Sequence, residues 1–208
     1  MTTLLSTTQT AESQAAISPA EAIKMLKDGN GRFLEGSPID RALHQQVAAT
    51  ASGQYPFAVV LGCIDSRVPV ETLFDQGIGD VFTARVAGNI VNEDLLGSME
   101  FACKLAGSKA ILVLGHTACG AVKGAIGKAR MGNLTALVQK IEPVVDQVAA
   151  NMDSEDPGFT DAVAEANVAR TIQAIRENSE VLAEMEAAGE IAITGAMYDV
   201  GSGQVHFL

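Results

Sequence analysis

Two short stretches carry residues able to hold a metal: Cys63-Ile64-Asp65-Ser66-Arg67 and His116-Thr117-Ala118-Cys119. Each follows an apolar run, residues 58–61 and 110–114, that reads as a buried strand. Two thiols and one imidazole at strand ends suit a tetrahedral zinc site with three protein ligands and one open position, the arrangement of a catalytic rather than a structural zinc. Two thiolates and a neutral imidazole cancel the metal's charge, so the zinc is a weaker Lewis acid than one held by three histidines. A group that orients an activated water then matters, and Asp65 is near enough to serve. A carboxylate beside zinc can also close the site as a fourth ligand. Arg67 competes for it, because a guanidinium engages a carboxylate through two parallel hydrogen bonds. The pair Asp65–Arg67 therefore reads as a latch that leaves the metal open. A plain salt bridge at a strand end is the simpler reading, and Cys63 with the second half-motif outweighs it. Gly115 and Gly120 allow a sharp backbone around His116 and Cys119, and the Gly120 N–H, near a helix start, can donate to an anionic oxygen.

The elements that must position these residues follow from periodicity. Ser18-Pro19-Ala20-Glu21 has the form of a capped helix start, and that helix is expected to break at Gly29-Asn30-Gly31. A second helix covers residues 42–51. From residue 57 strand and helix alternate: strands at 57–62, 81–85 and 110–115, a helical turn at 71–74, and helices at 92–106 and 119–128. Strands separated by helices imply a parallel sheet covered on both faces. Ligands gather beyond the carboxyl ends of such strands, where Cys63 and Cys119 both fall. Residues 134–188 read as helices broken around 153–158, forming a partly exposed layer or an oligomer surface. Residues 191–198 and 204–208, joined by Gly201-Ser202-Gly203, form a closing hairpin. His206 alternates within its last strand as a core or edge residue, His44 belongs to a polar helix surface, and Cys103 is a small core residue.

The chain has 208 residues, 48% of them hydrophobic, which is enough for one substantial core. We divide it into a flexible N-terminal segment, residues 1–17, and a single domain, residues 18–208. The net charge of −11 argues against nucleic acid or an anionic membrane as partner. No apolar run reaches the length of a membrane span. Residues 1–16 lack the charged start and apolar centre of a secretory signal and the arginines of a transit peptide. Three cysteines make a disulfide framework improbable and favour zinc-bound thiolates in a reducing, cytoplasmic setting.

At the two motifs, CIDSR (residues 63–67) and GHTACG (residues 115–120), the chain resembles the β-class carbonic anhydrases, zinc enzymes that interconvert carbon dioxide and bicarbonate. The resemblance runs from the first helix, with Gly29-Asn30-Gly31-Arg32-Phe33, to the last strand. It implies Cys63, His116 and Cys119 as ligands of one zinc per chain, and Asp65 with Arg67 as the catalytic dyad. It also implies an α/β fold: four parallel strands and one antiparallel strand, flanked by helices, with an N-terminal helical arm that packs on a partner subunit in a homodimer or homotetramer. The plant-like, open pattern of the family matches better than the bicarbonate-inhibited one. Gln54 stands where that pattern has a glutamine reaching the neighbouring subunit's site, Phe82 matches an apolar wall, and Phe101 stands where a tyrosine is usual. The inhibited pattern needs a tryptophan at position 60, which is Val60, and the chain has no tryptophan. The implied reaction is attack of zinc-bound hydroxide on carbon dioxide, with Gln54 and the Gly120 amide stabilising charge on substrate oxygen. Two alternatives stay open: hydrolysis of carbonyl sulfide or carbon disulfide with the same ligands, and a non-catalytic zinc module with Asp65 or Cys103 as fourth ligand.

Overall fold

Strand β1 (Ala58–Gly62) is buried along its whole length and lies second from one edge of a five-stranded sheet. The computed structural model describes residues 7–208. Strands β2 (Val81–Arg85), β3 (Ala110–His116), β4 (Ala192–Tyr198) and β5 (Val205–Phe207) complete the sheet in the order β2-β1-β3-β4-β5. The first four are mutually parallel and β5 joins β4 antiparallel. This is the expected α/β architecture. In the register, Gly62 lies level with Arg85 on one side and Leu114 on the other, so the residues just beyond all three strands share one end of the sheet.

Alternation along β1 and β3 divides the core into two layers. Val59, Leu61, Ile111 and Val113 face α9 (Phe159–Asn178), which presents Val163, Ala164, Val168 and Ile175. Ala58, Val60, Leu112 and Leu114 face α2 (Pro19–Leu34) and α4 (Val70–Leu73) through Ala22, Leu26, Val70 and Leu73. The remaining helices are α1 (Ala11–Ala16), α3 (Leu43–Thr50), α5 (Glu93–Glu100), α6 (Gly120–Ile126), α7 (Gly132–Val138), α8 (Glu142–Ala149) and α10 (Glu180–Ala187). No described helix is long and apolar enough to cross a membrane.

Three expectations need correction or refinement. The first long helix does not break at Gly29-Asn30-Gly31; α2 runs through to Leu34. Tertiary contacts override the weak local propensity. A Cβ on Gly29 would stand 1.8 Å from the Phe74 carbonyl oxygen, so glycine is what lets α2 approach so closely. Asn30 is buried, donates from Nδ2 to the Leu73 and Gly203 carbonyls at 3.1 Å, and accepts from the Val205 N–H at 3.0 Å. The helix expected over 92–106 is α-helical only to Glu100, under an Asn92 cap, and continues as a π turn over Phe101–Leu105. Within the segment set apart as flexible, residues 1–6 lie outside the described residues. Residues 11–16 form a helix closed by a Thr10–Ser13 capping box, and Gln14 is buried, donating to the Pro56 and Ala106 carbonyls.

Candidate metal centre and active site

Cys63 is the first residue beyond β1, and its backbone is held in place from the neighbouring strand. Arg85, which ends β2, donates from Nε to the Cys63 carbonyl at 2.8 Å and from Nη2 to the Asp65 carbonyl at 2.6 Å. The Cys63 sulfur accepts the Gly88 N–H at 3.3 Å. Gly88 is at φ +70°, and a Cβ there would lie 2.7 Å from Ile141 Cδ1, so both conformation and space require glycine.

His116 ends β3 and is wholly buried. Its Nδ1 lies 2.9 Å from the Thr117 carbonyl oxygen. A carbonyl only accepts, so Nδ1 carries the proton and the lone pair resides on Nε2. That nitrogen is buried with no hydrogen-bond partner. The following turn is anchored twice: the Thr117 hydroxyl accepts the Val200 N–H at 3.1 Å and meets the Asp199 carboxylate, and the Ala118 N–H donates to Asp161 at 2.8 Å. Asp161 opens α9, and its bond supports Ala118 in the left-handed region at φ +54°. The chain then turns into α6 with Cys119 as its cap residue and Gly120 as its first residue. Nothing lies within 4 Å of where a Gly120 Cβ would be, so the space over this turn is open.

The two half-motifs converge. Cys63 Sγ, Cys119 Sγ and a ring nitrogen of His116 all lie within 4.8 Å of one another, and all three residues are buried. The hydrogen bond from the Cys119 thiol, aided by the Gly88 N–H, outweighs burial and holds Cys63 well below the ordinary thiol range. Cys119 is pushed up, first by its bond to Cys63 and then by burial. A second thiolate beside the first is costly until a cation arrives. With two buried sulfurs and an orphaned imidazole nitrogen at that spacing, the donor set fits a divalent metal. Cys103 stands outside the group, and burial pushes its thiol up to about 12, as suits a core residue.

Asp65 and Arg67 make the paired contact expected of them. Asp65 accepts from Arg67 Nε at 2.9 Å and Nη2 at 2.7 Å, and from the Arg67 backbone N–H at 2.9 Å. These bonds hold the carboxyl well below the ordinary carboxylate range. The Oδ2 that accepts from Arg67 Nη2 also lies 3.9 Å from His116 Nε2. Gln54, Phe82 and Phe101 are not brought to this place. Gln54 is exposed in the turn before β1, at the opposite end of the sheet. Phe82 pairs with Val59, four residues and about 13 Å of strand short of Cys63. Its ring meets that of half-exposed Phe101 edge-on, centroids 6.2 Å apart, beside an open hollow of about 630 Å³ along the β2 edge.

Comparison with known proteins agrees with this geometry. The family model described as carbonic anhydrase matches residues 58–205. The chain is 36% identical to carbonic anhydrase 2 of Mycobacterium tuberculosis over 192 residues, 89% of this chain and 91% of that one. Its fold superposes on the β-carbonic anhydrase CafA of Aspergillus fumigatus with a TM-score of 0.73 at 29% identity, covering 91% and 89% of the two chains. A tetrameric β-carbonic anhydrase of Sordaria macrospora gives a TM-score of 0.70 at 28% identity over 77% of this chain and 84% of that one. The chain belongs to the β-carbonic anhydrase family.

In this carbonic anhydrase the supporting residues were harder to read than the ligands. Arg85 had no local signal, since Cys63 and Asp65, whose carbonyls it binds, lie 22 and 20 residues back. Asp161, Asn167 and Asp199 had none, because acids and amides spaced along helices and turns read as solvated surface. His206, by contrast, is where alternation put it, exposed on the edge strand β5.

Proposed function

We propose that this carbonic anhydrase catalyses the reversible hydration of carbon dioxide to bicarbonate and a proton on one zinc ion held by Cys63, His116 and Cys119. The observation that carries the reading is the buried, unpartnered Nε2 of His116 facing two thiols, with a latched carboxylate beside it. Zinc in that cradle supplies Lewis acidity, making water at an open fourth position easier to ionise. The protein supplies orientation. Asp65, kept ionised by Arg67, accepts a hydrogen bond from the attacking oxygen and aims its remaining lone pair at carbon. Arg67 withholds Asp65 from the metal. The Gly120 N–H, first in α6 and next to Cys119, donates to the substrate oxygen that gains charge.

Gln54, Phe82 and Phe101 belong in this proposal to a homo-oligomer, a dimer or tetramer, in which one subunit's residues wall its neighbour's site. Their separation from Cys63 within one chain, and the apolar hollow along the β2 edge, support that assignment. Phe101 lacks the hydroxyl of a tyrosine, so its contribution is apolar. Three free thiols suit a reducing cytoplasm, and the negative charge leaves no role for nucleic acid.

The test is metal analysis with stopped-flow carbon dioxide hydration, run beside sulfide-release assays on carbonyl sulfide and carbon disulfide. One zinc per chain and hydration activity, both lost in Cys119→Ser, are expected. Sulfide release without hydration would move the function to the sulfur substrates. A fully metallated, active Cys119→Ser variant would remove the ligand assignment.

A further inference from the structure

We propose that Asn167, in the middle of α9, is a positioning residue for the metal: through Gly88 it sets the hydrogen bond received by the Cys63 sulfur. The inference rests on the metal assignment above and deepens it. Asn167 is 2% exposed, and its Nδ2 donates to the Gly88 carbonyl at 2.8 Å across 79 residues of sequence. The N–H of the same Gly88 donates to Cys63 Sγ. Glycine has wide backbone freedom, so the direction of that N–H must be imposed from outside the residue. Asn167 fixes the peptide unit on its carbonyl side. Ile141 and Ala121, 2.7 and 3.2 Å from where a Cβ would be, restrict it laterally. Together they aim the amide at sulfur.

The chemical consequence is specific. A hydrogen bond to a coordinated thiolate draws charge from sulfur and lessens its donation to the metal. In a site with two thiolates, that restores some of the Lewis acidity the sulfurs remove. The same helix also grips the other half of the cradle, through Asp161 on the Ala118 N–H. Helix α9 thereby holds both strand ends at one separation before any metal arrives.

The test compares Asn167→Leu, close in size but unable to donate, with Thr171→Val. Thr171 is one turn along α9 and equally buried, so it controls for helix packing. Zinc affinity by chelator competition should fall about 10–100-fold in Asn167→Leu, the usual effect of losing an outer partner of a ligand, and stay near wild type in Thr171→Val. In the cobalt-substituted protein the thiolate-to-metal charge-transfer band should move to longer wavelength in Asn167→Leu alone. In the cadmium-113 form of the unmodified protein, the Gly88 amide proton should show scalar coupling to the metal through sulfur. This measurement decides the matter even if Asn167→Leu does not fold. Absent coupling overturns the inference, as does a folded Asn167→Leu with unchanged affinity and band. If the unmodified protein binds none of these metals, the metal assignment itself fails and the inference with it.

Discussion

Replacing Gly115 with Ala would press on the contact that sets the spacing between the sheet and α9. Gly115 precedes His116 on β3, level with Met197, and Gly195 on the neighbouring β4 is level with Val113, two residues back on the same face. Val168 of α9 sits in the dimple these two glycines leave. A Cβ on Gly115 would be 2.5 Å from Val168 Cγ2 and 2.6 Å from Met197 Sδ, and one on Gly195 would be 2.5 Å from Val168 Cγ1. Ordinary carbon contacts need about 3.5–4.0 Å, so the new methyl is roughly 1 Å too close. Met197 can swing its thioether aside. Val168 cannot, because a β-branched side chain in a helix is held to one χ1 rotamer. Either α9 lifts or β3 bows. Such overpacking costs about 1–3 kcal/mol, and in a chain of this size each kcal/mol lowers Tm by about 2–4 °C. We expect Gly115→Ala to melt about 2–12 °C lower and to lose zinc to a chelator faster, since α9 carries the Asp161 and Asn167 contacts to both halves of the cradle. Adding Val168→Ala removes both clashing methyls, so the double variant should be more stable than the sum of the single losses. Differential scanning calorimetry and chelator release provide the readouts. A Gly115→Ala protein with unchanged Tm, or strict additivity in the double variant, would refute the reasoning.

Arg67→Ala should keep its metal yet lose on the order of tenfold or more in carbon dioxide hydration, because the freed Asp65 carboxylate can reach the metal; undiminished turnover would show that the latch has no function. Mixing Gln54→Ala with Cys63→Ser chains under exchange conditions should raise activity above either parent, since one site of a mixed dimer keeps both its metal and its neighbour's amide. No recovery, with mixed dimers shown to form, would confine Gln54 to its own subunit. Acid stability should depend on Asp75. Burial pushes this carboxyl up, but the hydrogen bonds from Arg32, Arg41 and the Ile39 N–H outweigh burial and leave it lowered. Its stabilisation is therefore complete above the ordinary carboxylate value, about pH 4, and disappears as pH falls through the lowered one. Asp75→Asn should cost about 3 kcal/mol near neutrality, the low end for a buried pair because Arg32 still reaches water, and should flatten the acid limb of a Tm-against-pH plot. An unchanged limb would mean that other carboxylates carry it.

What the sequence determined by itself was the chemistry and the strands that present it. Cys63, Asp65, Arg67, His116 and Cys119 are local motifs, and their types point to a group that could hold a metal, with a carboxylate paired beside it. The apolar runs before them had to be buried strands, and parallel order follows from the helices between. The Arg67–Asp65 contact spans two residues, so short-range geometry was enough to foresee it.

Tertiary structure alone decided the rest, because the deciding partners are distant in sequence and carry no local signature. Asn30 keeps α2 helical through two glycines by bonding to Leu73, Gly203 and Val205. Arg85 reaches back across the sheet to the Cys63 loop, while Asp161 and Asn167 bind turns 43 and 79 residues away. The positions of Gln54, Phe82 and Phe101 at the far end and edge of the sheet also follow from register, which no single segment specifies. Side-chain type determines what a residue can bind. Whether it meets its partner depends on how the sheet and α9 pack, and Val168 fits between them because residues 115 and 195 lack a Cβ.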